Sequence, residues 1–169
     1  RPVRHPVGRV AQERGRAVGV GQNDQQVSAI ERVPVLKHAV GRGAHVSFCP
    51  PQDEVFDVAM RRHTISTGNC PGGYGMLLKR VFAVSGDSVS IGRAGIVVNG
   101  ELMPNSAQIS ADGDGHEMPQ YRLREKMLND SEYLLMSDVN PNSFDARYFG
   151  LIAGAQIQHV VEPFFTWGD

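Results

Sequence analysis

The sequence predicts a mainly β domain with one short helix. Short apolar stretches alternate along the chain with turns rich in glycine and proline, the pattern of an all-β or mainly β protein. The dipeptide Asn99-Gly100 lies between two such stretches and favours a tight antiparallel hairpin. One stretch, residues 52–62, instead shows the i, i+3, i+4 apolar spacing of a helix.

Length and charge restrict the function classes. The 169 residues are enough for one domain with a real core. With 17 basic and 18 acidic residues the net charge is -1, so we predict no nucleic-acid partner. No stretch reaches the roughly 18 consecutive apolar residues that a membrane-spanning helix needs.

The N-terminal 40 residues differ from the rest. Arginine, glycine, glutamine and valine are mixed there without helical or strand periodicity, and Gly15, Gly19 and Gly21 interrupt any helix. We therefore predict an irregular segment over 1–40 and the folded β domain over 41–169.

The folded part begins with a short strand at 44–49, which Pro50 ends. The helix at 52–62 follows, with acidic residues in its first turn and basic residues in its last, as the helix dipole favours. A glycine-rich loop, 68–75, then leads into the next strand.

The strand predicted at 76–84 (MLLKRVFAV) contains a lysine in its middle, and neither face has a solvated composition. An amine among apolar neighbours loses hydration, which lowers its pKa toward the range of a general base. Lys79 is therefore a candidate base, whereas the guanidinium of Arg80 stays protonated.

A meander of short strands follows the turn 85–87, and residues 105–120 are polar enough to predict a mobile loop. A turn-rich segment near Pro141 precedes the end of the domain. The remaining predicted strands are 88–91, 96–98, 101–103, 132–136, 157–161 and 164–167.

The sequence lacks the residue patterns that several kinds of chemistry require. The six histidines show no i, i+4 pair and there is no Cys-x-x-Cys, so we predict no metal, and the glycine-rich loop lacks the Lys-Ser/Thr that binds phosphate. A nucleophilic Cys70 would need His45 or His159 beside it in space. The two cysteines, at 49 and 70, form either one disulfide or two separate buried thiols.

A serine nucleophile with a lysine base needs fewer parts, and it points again to Lys79. The alternative is that Lys79 is a structural lysine paired with Asp145 or Asp138. Asp145 in turn is a candidate partner of Arg147, and Ser137-Asp138 has the composition of an ordinary turn.

Several blocks, in order, resemble the signal peptidase family with a Ser/Lys dyad, and in particular its conjugative-transfer branch, the TraF-type peptidases of mobilisable plasmids. The resemblance covers roughly residues 38–167. The blocks are 48–51 (FCPP), 70–75 (CPGGYG), 76–81 (MLLKRV), 86–89 (GDSV), 97–100 (VVNG), 137–138 (SD), 143–150 (SFDARYFG) and 163–167 (PFFTW).

The resemblance implies a signal-peptidase-like antiparallel β domain at the periplasmic face of the inner membrane. Such enzymes cut, and in some relatives cyclise, a pilin-like precursor, without a cofactor. The family base maps onto Lys79 and the aspartate near the dyad maps onto Asp145. An oxidising compartment also favours a Cys49–Cys70 disulfide.

The N-terminal part departs from the family pattern. The family nucleophile lies after a membrane helix, in a Ser-x-Pro-x-Gly-Leu-Tyr segment about twenty residues before the FCPP block. Ser28 is at nearly that distance and is the candidate nucleophile, but the rest of the motif and the membrane helix are absent. The alternative is an inactive remnant whose N-terminus was altered by truncation or a frameshift. A self-cleaving repressor is a weaker option, because residues 1–40 show no helix-turn-helix pattern.

Overall fold

The computed structural model describes residues 40–163 and the backbone of residues 30–34. Within these ranges the chain is mainly strand, with one helix of eight residues and a second of four. In chain order the elements are β1 (Ile30–Pro34), β2 (His45–Phe48), α1 (Glu54–Arg61), β3 (Leu77–Ala83), β4 (Ser88–Gly92), β5 (Gly95–Val98), β6 (Glu101–Leu102), β7 (Leu123–Met127), β8 (Glu132–Met136), α2 (Ala146–Phe149), β9 (Ile152–Ala153) and β10 (Ile157–Pro163).

The strands form two antiparallel sheets. The larger has the order β1-β10-β2-β3-β8-β9, so the lysine-bearing strand β3 lies in its interior between β2 and β8. Lys79 is opposite Val46 of β2, and Val81 is opposite Leu135 of β8. Val46, Val81 and Leu135 are fully buried, which anchors the strand around the lysine.

The smaller sheet, in the order β6-β5-β4-β7, contains the predicted meander. Asn99 and Gly100 connect β5 to β6 with φ values of 50° and 85°. Two consecutive positive φ angles are those of the tight hairpin turn that Asn-Gly favours, so this prediction is confirmed.

Aromatic residues join α1 to α2 under the larger sheet. The ring of Phe56 on α1 lies 5.0 Å from that of Phe149 on α2 and 5.9 Å from that of Phe144. Phe144 also lies 5.4 Å from Phe149. All three side chains are at most 9% exposed, so this cluster holds the segment just before α2 in place.

Cys49 and Cys70 form a disulfide, which confirms the pairing that the family resemblance favours. The bond joins the end of β2 to the turn Pro71–Gly73, which leads into β3. Beside it, the Tyr74 hydroxyl donates to the Asp57 carboxylate on α1, and this bond raises the pKa of Tyr74.

Two expectations differ from the structure, and a third is not tested by it. Residues 30–34 form β1 against β10, so the irregular interpretation is wrong there, because pairing with a distant strand and not local pattern creates the strand. Strand β7 was not predicted, since three of its five residues are exposed and three are charged. The strand expected at 164–167 lies outside the described residues.

The lysine strand is also more exposed than its sequence suggests. Met76 and Leu78 are each 43% exposed, so the expectation of two unsolvated faces is wrong for the face that also bears Arg80. The loop 105–120 has the predicted lack of regular strands apart from one bridge at Ala111, yet Ser106 is buried within it. Its mobility stays a prediction.

Candidate active site

The amine of Lys79 contacts a serine from a distant loop. Lys79 Nζ donates a hydrogen bond to Ser143 Oγ at 2.9 Å. The lysine is half-buried in the middle of β3, and Ser143 is 7% exposed in the loop between β8 and α2. The contact therefore fixes the amine of a sheet lysine against a buried hydroxyl 64 residues away in sequence.

The loop that presents Ser143 is a series of tight turns. The amide of Ser137 donates to Asp145 Oδ2 at 3.1 Å, and the amide of Ser143 donates to the carbonyl oxygen of Asn140 at the same distance. These bonds fold the residues between the end of β8 and the start of α2 back on themselves, so the position of the Ser143 hydroxyl is determined locally.

Asp145 and Arg147 form a fully buried ion pair inside this loop. Arg147 Nε donates to Asp145 Oδ1 and Nη2 donates to Asp145 Oδ2, each at 2.8 Å, while both side chains are 0% exposed. Asp145 is also the N-cap of α2, accepting from the backbone N–H of Arg147 at 3.1 Å. The parallel pair of bonds gives the carboxylate and guanidinium one defined relative orientation.

The remaining donors of Arg147 bind the backbone of two loops. They reach the carbonyl oxygens of Asn105, Pro141 and Ser143 at 3.0, 2.6 and 2.8 Å. Because a guanidinium is planar and stays charged, these bonds hold the carbonyl oxygens in fixed directions. Arg147 therefore holds the backbone of Ser143, and the hydroxyl of Ser143 accepts the hydrogen bond from the Lys79 amine.

The structure describes two of the three predicted site residues. Ser28 lies outside the described residues. Lys79 is at the contact just described, and Asp145 is connected to the same loop through Arg147, which binds both Asp145 and the backbone of Ser143. The roles of all three in catalysis stay predictions.

The acids considered as partners of Lys79 each bind an arginine instead. Asp138 Oδ2 lies 2.8 Å from Arg80 Nη1, on the opposite face of β3. Asp145 binds Arg147, as one of the alternatives from sequence proposed. Ser143 and Arg147 were assigned no site role from sequence, although both belong to the block SFDARYFG that carried the family resemblance.

One cluster of metal-type ligands occurs among the described residues. Asp112, Asp114 and His116 place ligand atoms within 4.8 Å of one another in the exposed 105–120 loop. Asp112 already accepts hydrogen bonds from the backbone of both other residues and from the imidazole of His116, and these bonds lower the pKa of Asp112. The cluster is thus explained as a hydrogen-bonded turn.

The contact between the Lys79 amine and the Ser143 hydroxyl lies within an antiparallel β domain. The family model described as "Signal peptidase, peptidase S26" matches residues 18–166. The chain belongs to this family.

The named relatives indicate which branch of the family this chain resembles. A "Plasmid transfer protein TraF" of Escherichia coli is 51% identical over 76% of this chain and 72% of its own length. A "Probable conjugal transfer protein TraF" of Sinorhizobium fredii is 32% identical over 74% of this chain and 64% of its own. The crystal structure of a signal peptidase I from Enterococcus faecalis covers 72% of this chain and 96% of that chain, at 15% identity and a TM-score of 0.40.

Proposed function

We propose that the protein is a serine endopeptidase with a Ser/Lys dyad that matures a pilin-like precursor during plasmid transfer. The observation that carries this proposal is the 2.9 Å contact between Lys79 Nζ and Ser143 Oγ in a loop braced by a buried arginine. The family match and the conjugal-transfer names of the relatives support the reaction class and the biological setting.

In the proposed reaction Ser28 Oγ attacks the scissile carbonyl carbon while Lys79 Nζ, as the neutral amine, accepts the hydroxyl proton. The tetrahedral intermediate collapses to an acyl-enzyme as the amine returns this proton to the leaving nitrogen. Water then hydrolyses the ester. If the N-terminal amine of the same precursor attacks instead, the product is cyclic. A backbone amide, that of Ser28 or of a neighbouring residue, is the proposed source of the oxyanion donor.

The surroundings of Lys79 suit a base that changes protonation state. Asp138 and Asp145 each form an ion pair with an arginine, Arg80 and Arg147 respectively. The Ser143 hydroxyl accepts a hydrogen bond from either form of the amine, and it also offers a proton donor when the amine is neutral. Ser143 and Asp145 are therefore positioning residues in this proposal.

Both the disulfide and the family of this protein support the location that we propose for it. The Cys49–Cys70 disulfide is typical of proteins that fold in oxidising compartments. We place the domain at the periplasmic face of the inner membrane, where it would meet its precursor at the membrane surface. In the part of the chain that the structure describes, no helix is long and apolar enough to cross a membrane.

The test is cleavage of a pilin precursor by the purified full chain and its variants. Replacing Lys79 with alanine is expected to lower kcat/KM by about 10²- to 10⁴-fold, as the loss of a general base does. The matched control is Lys126→Ala on strand β7, which should keep the activity. Cleavage that survives Lys79→Ala would contradict the proposal, and no cleavage by the unmutated chain would favour the inactive remnant.

A second measurement distinguishes the two serines. Trapping the acyl-enzyme with a slow ester substrate and locating the modified residue by mass spectrometry should identify Ser28. Because Ser143 is buried, we expect Ser143→Ala to lower kcat and shift its pH profile without removing acylation. Acylation of Ser143 itself would assign it as the nucleophile and overturn the role of Ser28.

A further inference from the structure

A groove of about 580 Å³ lies between α1 and the 105–120 loop, outside the contact of Lys79 with Ser143. The apolar part of its lining consists of Val55, Val58 and Ala59 of α1, Met118 and Pro119 of the loop, and Phe144. This volume is within the range of pockets that hold a ligand or a bulky side chain.

The two walls of the groove are tied together. Arg62, just after α1, donates from Nη1 to the carbonyl oxygen of Glu117 at 2.8 Å. The amide of Met118 donates to the carbonyl oxygen of Ser110 at 2.9 Å, and the Met118 side chain is only 6% exposed. The groove is therefore formed before anything binds, which reduces the entropic cost of binding.

The rim of the groove is strongly acidic. Four carboxylates, those of Asp53, Glu54, Asp112 and Glu117, line it against the single guanidinium of Arg62. Asp53 caps α1 and Asp112 binds His116, whereas neither Glu54 nor Glu117 is in a salt bridge among the described residues. A groove lined by apolar side chains and by an excess of carboxylates is complementary to a bulky apolar side chain flanked by basic residues.

The groove also shares a residue with the site loop. Phe144 is part of the groove, and it directly follows Ser143, whose hydroxyl receives the Lys79 amine. The Phe144 ring packs face to face on Tyr148 of α2 at 6.1 Å. A ligand in the groove therefore contacts the same short segment that positions the lysine.

We propose that this groove is a second binding site for the protein substrate, which holds a segment of that substrate where one bulky apolar side chain is flanked by lysine or arginine. The inference rests on the proposed function for the identity of the partner. The segment would bind at a distance from the scissile bond and anchor the precursor beside the site loop.

The test is a binding measurement that does not depend on cleavage. A labelled peptide with one phenylalanine between two lysines on each side is titrated, by fluorescence anisotropy at low salt, into the full chain carrying Lys79→Ala. The double variant Glu54→Gln/Glu117→Gln should raise Kd about three- to tenfold, as expected for two partly solvated ion pairs. The matched control, Glu101→Gln/Glu162→Gln, removes two exposed carboxylates elsewhere and should change Kd by less than about twofold.

Two further peptides test separately how the charge and the shape of the peptide contribute to its binding. A peptide with glutamate in place of lysine, and one with glycine in place of phenylalanine, should each bind at least about tenfold more weakly. Equal binding of any of these peptides, an equal Kd in the two double variants, or no binding at all would overturn the proposal. Because cleavage is assayed separately, a peptidase that cuts without this groove refutes only the second site. Binding without cleavage refutes only the proposed function.

Discussion

Two ion pairs brace this molecule in contrasting surroundings. Asp145 and Arg147 lie in the loop beside Lys79 with both side chains completely buried. Arg42 and Asp87 join the segment before β2 to the start of β4, and there the arginine side chain is 46% exposed. The first pair organises the candidate site within the larger sheet, whereas the second connects the two sheets.

The difference lies in what each cation does besides neutralising its acid. Arg147 also binds backbone carbonyl oxygens, so its loss would leave the buried charge of Asp145 and the buried carbonyl oxygen of Ser143 without this partner. Water replaces most of what Arg42 provides, since Arg42 is close to half exposed. We infer that the site loop is the more rigid region and that the junction between the sheets opens at lower cost.

The largest expected effect comes from Arg147→Met. Because Asp145 would remain as an unpaired buried carboxylate, we expect the free energy of unfolding to fall by about 3–5 kcal/mol. Urea denaturation measures this change, with Arg124→Met on the exposed face of β7 as the matched control. Adding Asp145→Asn should restore part of the loss, and a loss below about 1 kcal/mol in the single variant would contradict the structural role of this pair.

A somewhat smaller loss of stability is expected when the Cys49–Cys70 disulfide is removed. Replacing both Cys49 and Cys70 with serine opens a covalent loop across a sequence separation of 21, which should lower stability by roughly 3 kcal/mol in the chain-entropy model. Urea denaturation with and without a reductant measures it. The variant should be insensitive to the reductant, while the unmutated chain should lose stability to nearly the same extent.

Sequence patterns predicted the elements that local chemistry determines. The acidic first turn and the apolar spacing of α1, and the turn at Asn99, are short-range features, and the structure contains them. The edge strand β1 and the charged strand β7 were missed because only pairing with distant strands creates them.

The candidate site shows the same difference between short-range features, which the sequence predicts, and long-range contacts, which it does not. A lysine in an apolar strand was recognisable from the sequence, and the family resemblance pointed to Asp145. The hydrogen bond from Lys79 to Ser143 joins residues 64 positions apart, and no spacing rule encodes it. The bonds from Arg147 to the 105 region also span 42 positions, so this brace emerges only in the folded chain.

We expect the stability that the junction between the two sheets contributes to depend on pH in the acidic range. The hydrogen bond from Arg42, followed by smaller contributions from the backbone of Val84 and the side chain of Asn99, lowers the pKa of Asp87 to about 2 from the ordinary 3.8. A lowered folded pKa stabilises the protein above about pH 4, and this contribution is lost as the pH falls from about 4 to about 2. Allowing for solvent around Arg42, it amounts to about 1 kcal/mol.

The check is the free energy of unfolding at several pH values for Asp87→Asn. This variant should lose less stability than the unmutated chain between pH 4 and pH 2. The exposed Asp114→Asn serves as the control and should follow the unmutated curve. If the two variants have the same pH dependence, the bond from Arg42 to Asp87 does not link the sheets in solution.

The smallest effect should come from the second link between the sheets, where Lys126 of β7 binds Glu132 of β8. The lysine side chain is 39% exposed, so Lys126→Met is expected to cost no more than about 0.5 kcal/mol, and less still in 1 M salt. Glu132 keeps its hydrogen bond from the amide of Asn129, which limits the loss further. Thermal or urea denaturation at two salt concentrations measures both values. A loss near that of Arg147→Met would show that the junction is as rigid as the site loop, because an exposed pair that stabilises so strongly must be held by the packing of both sheets around it.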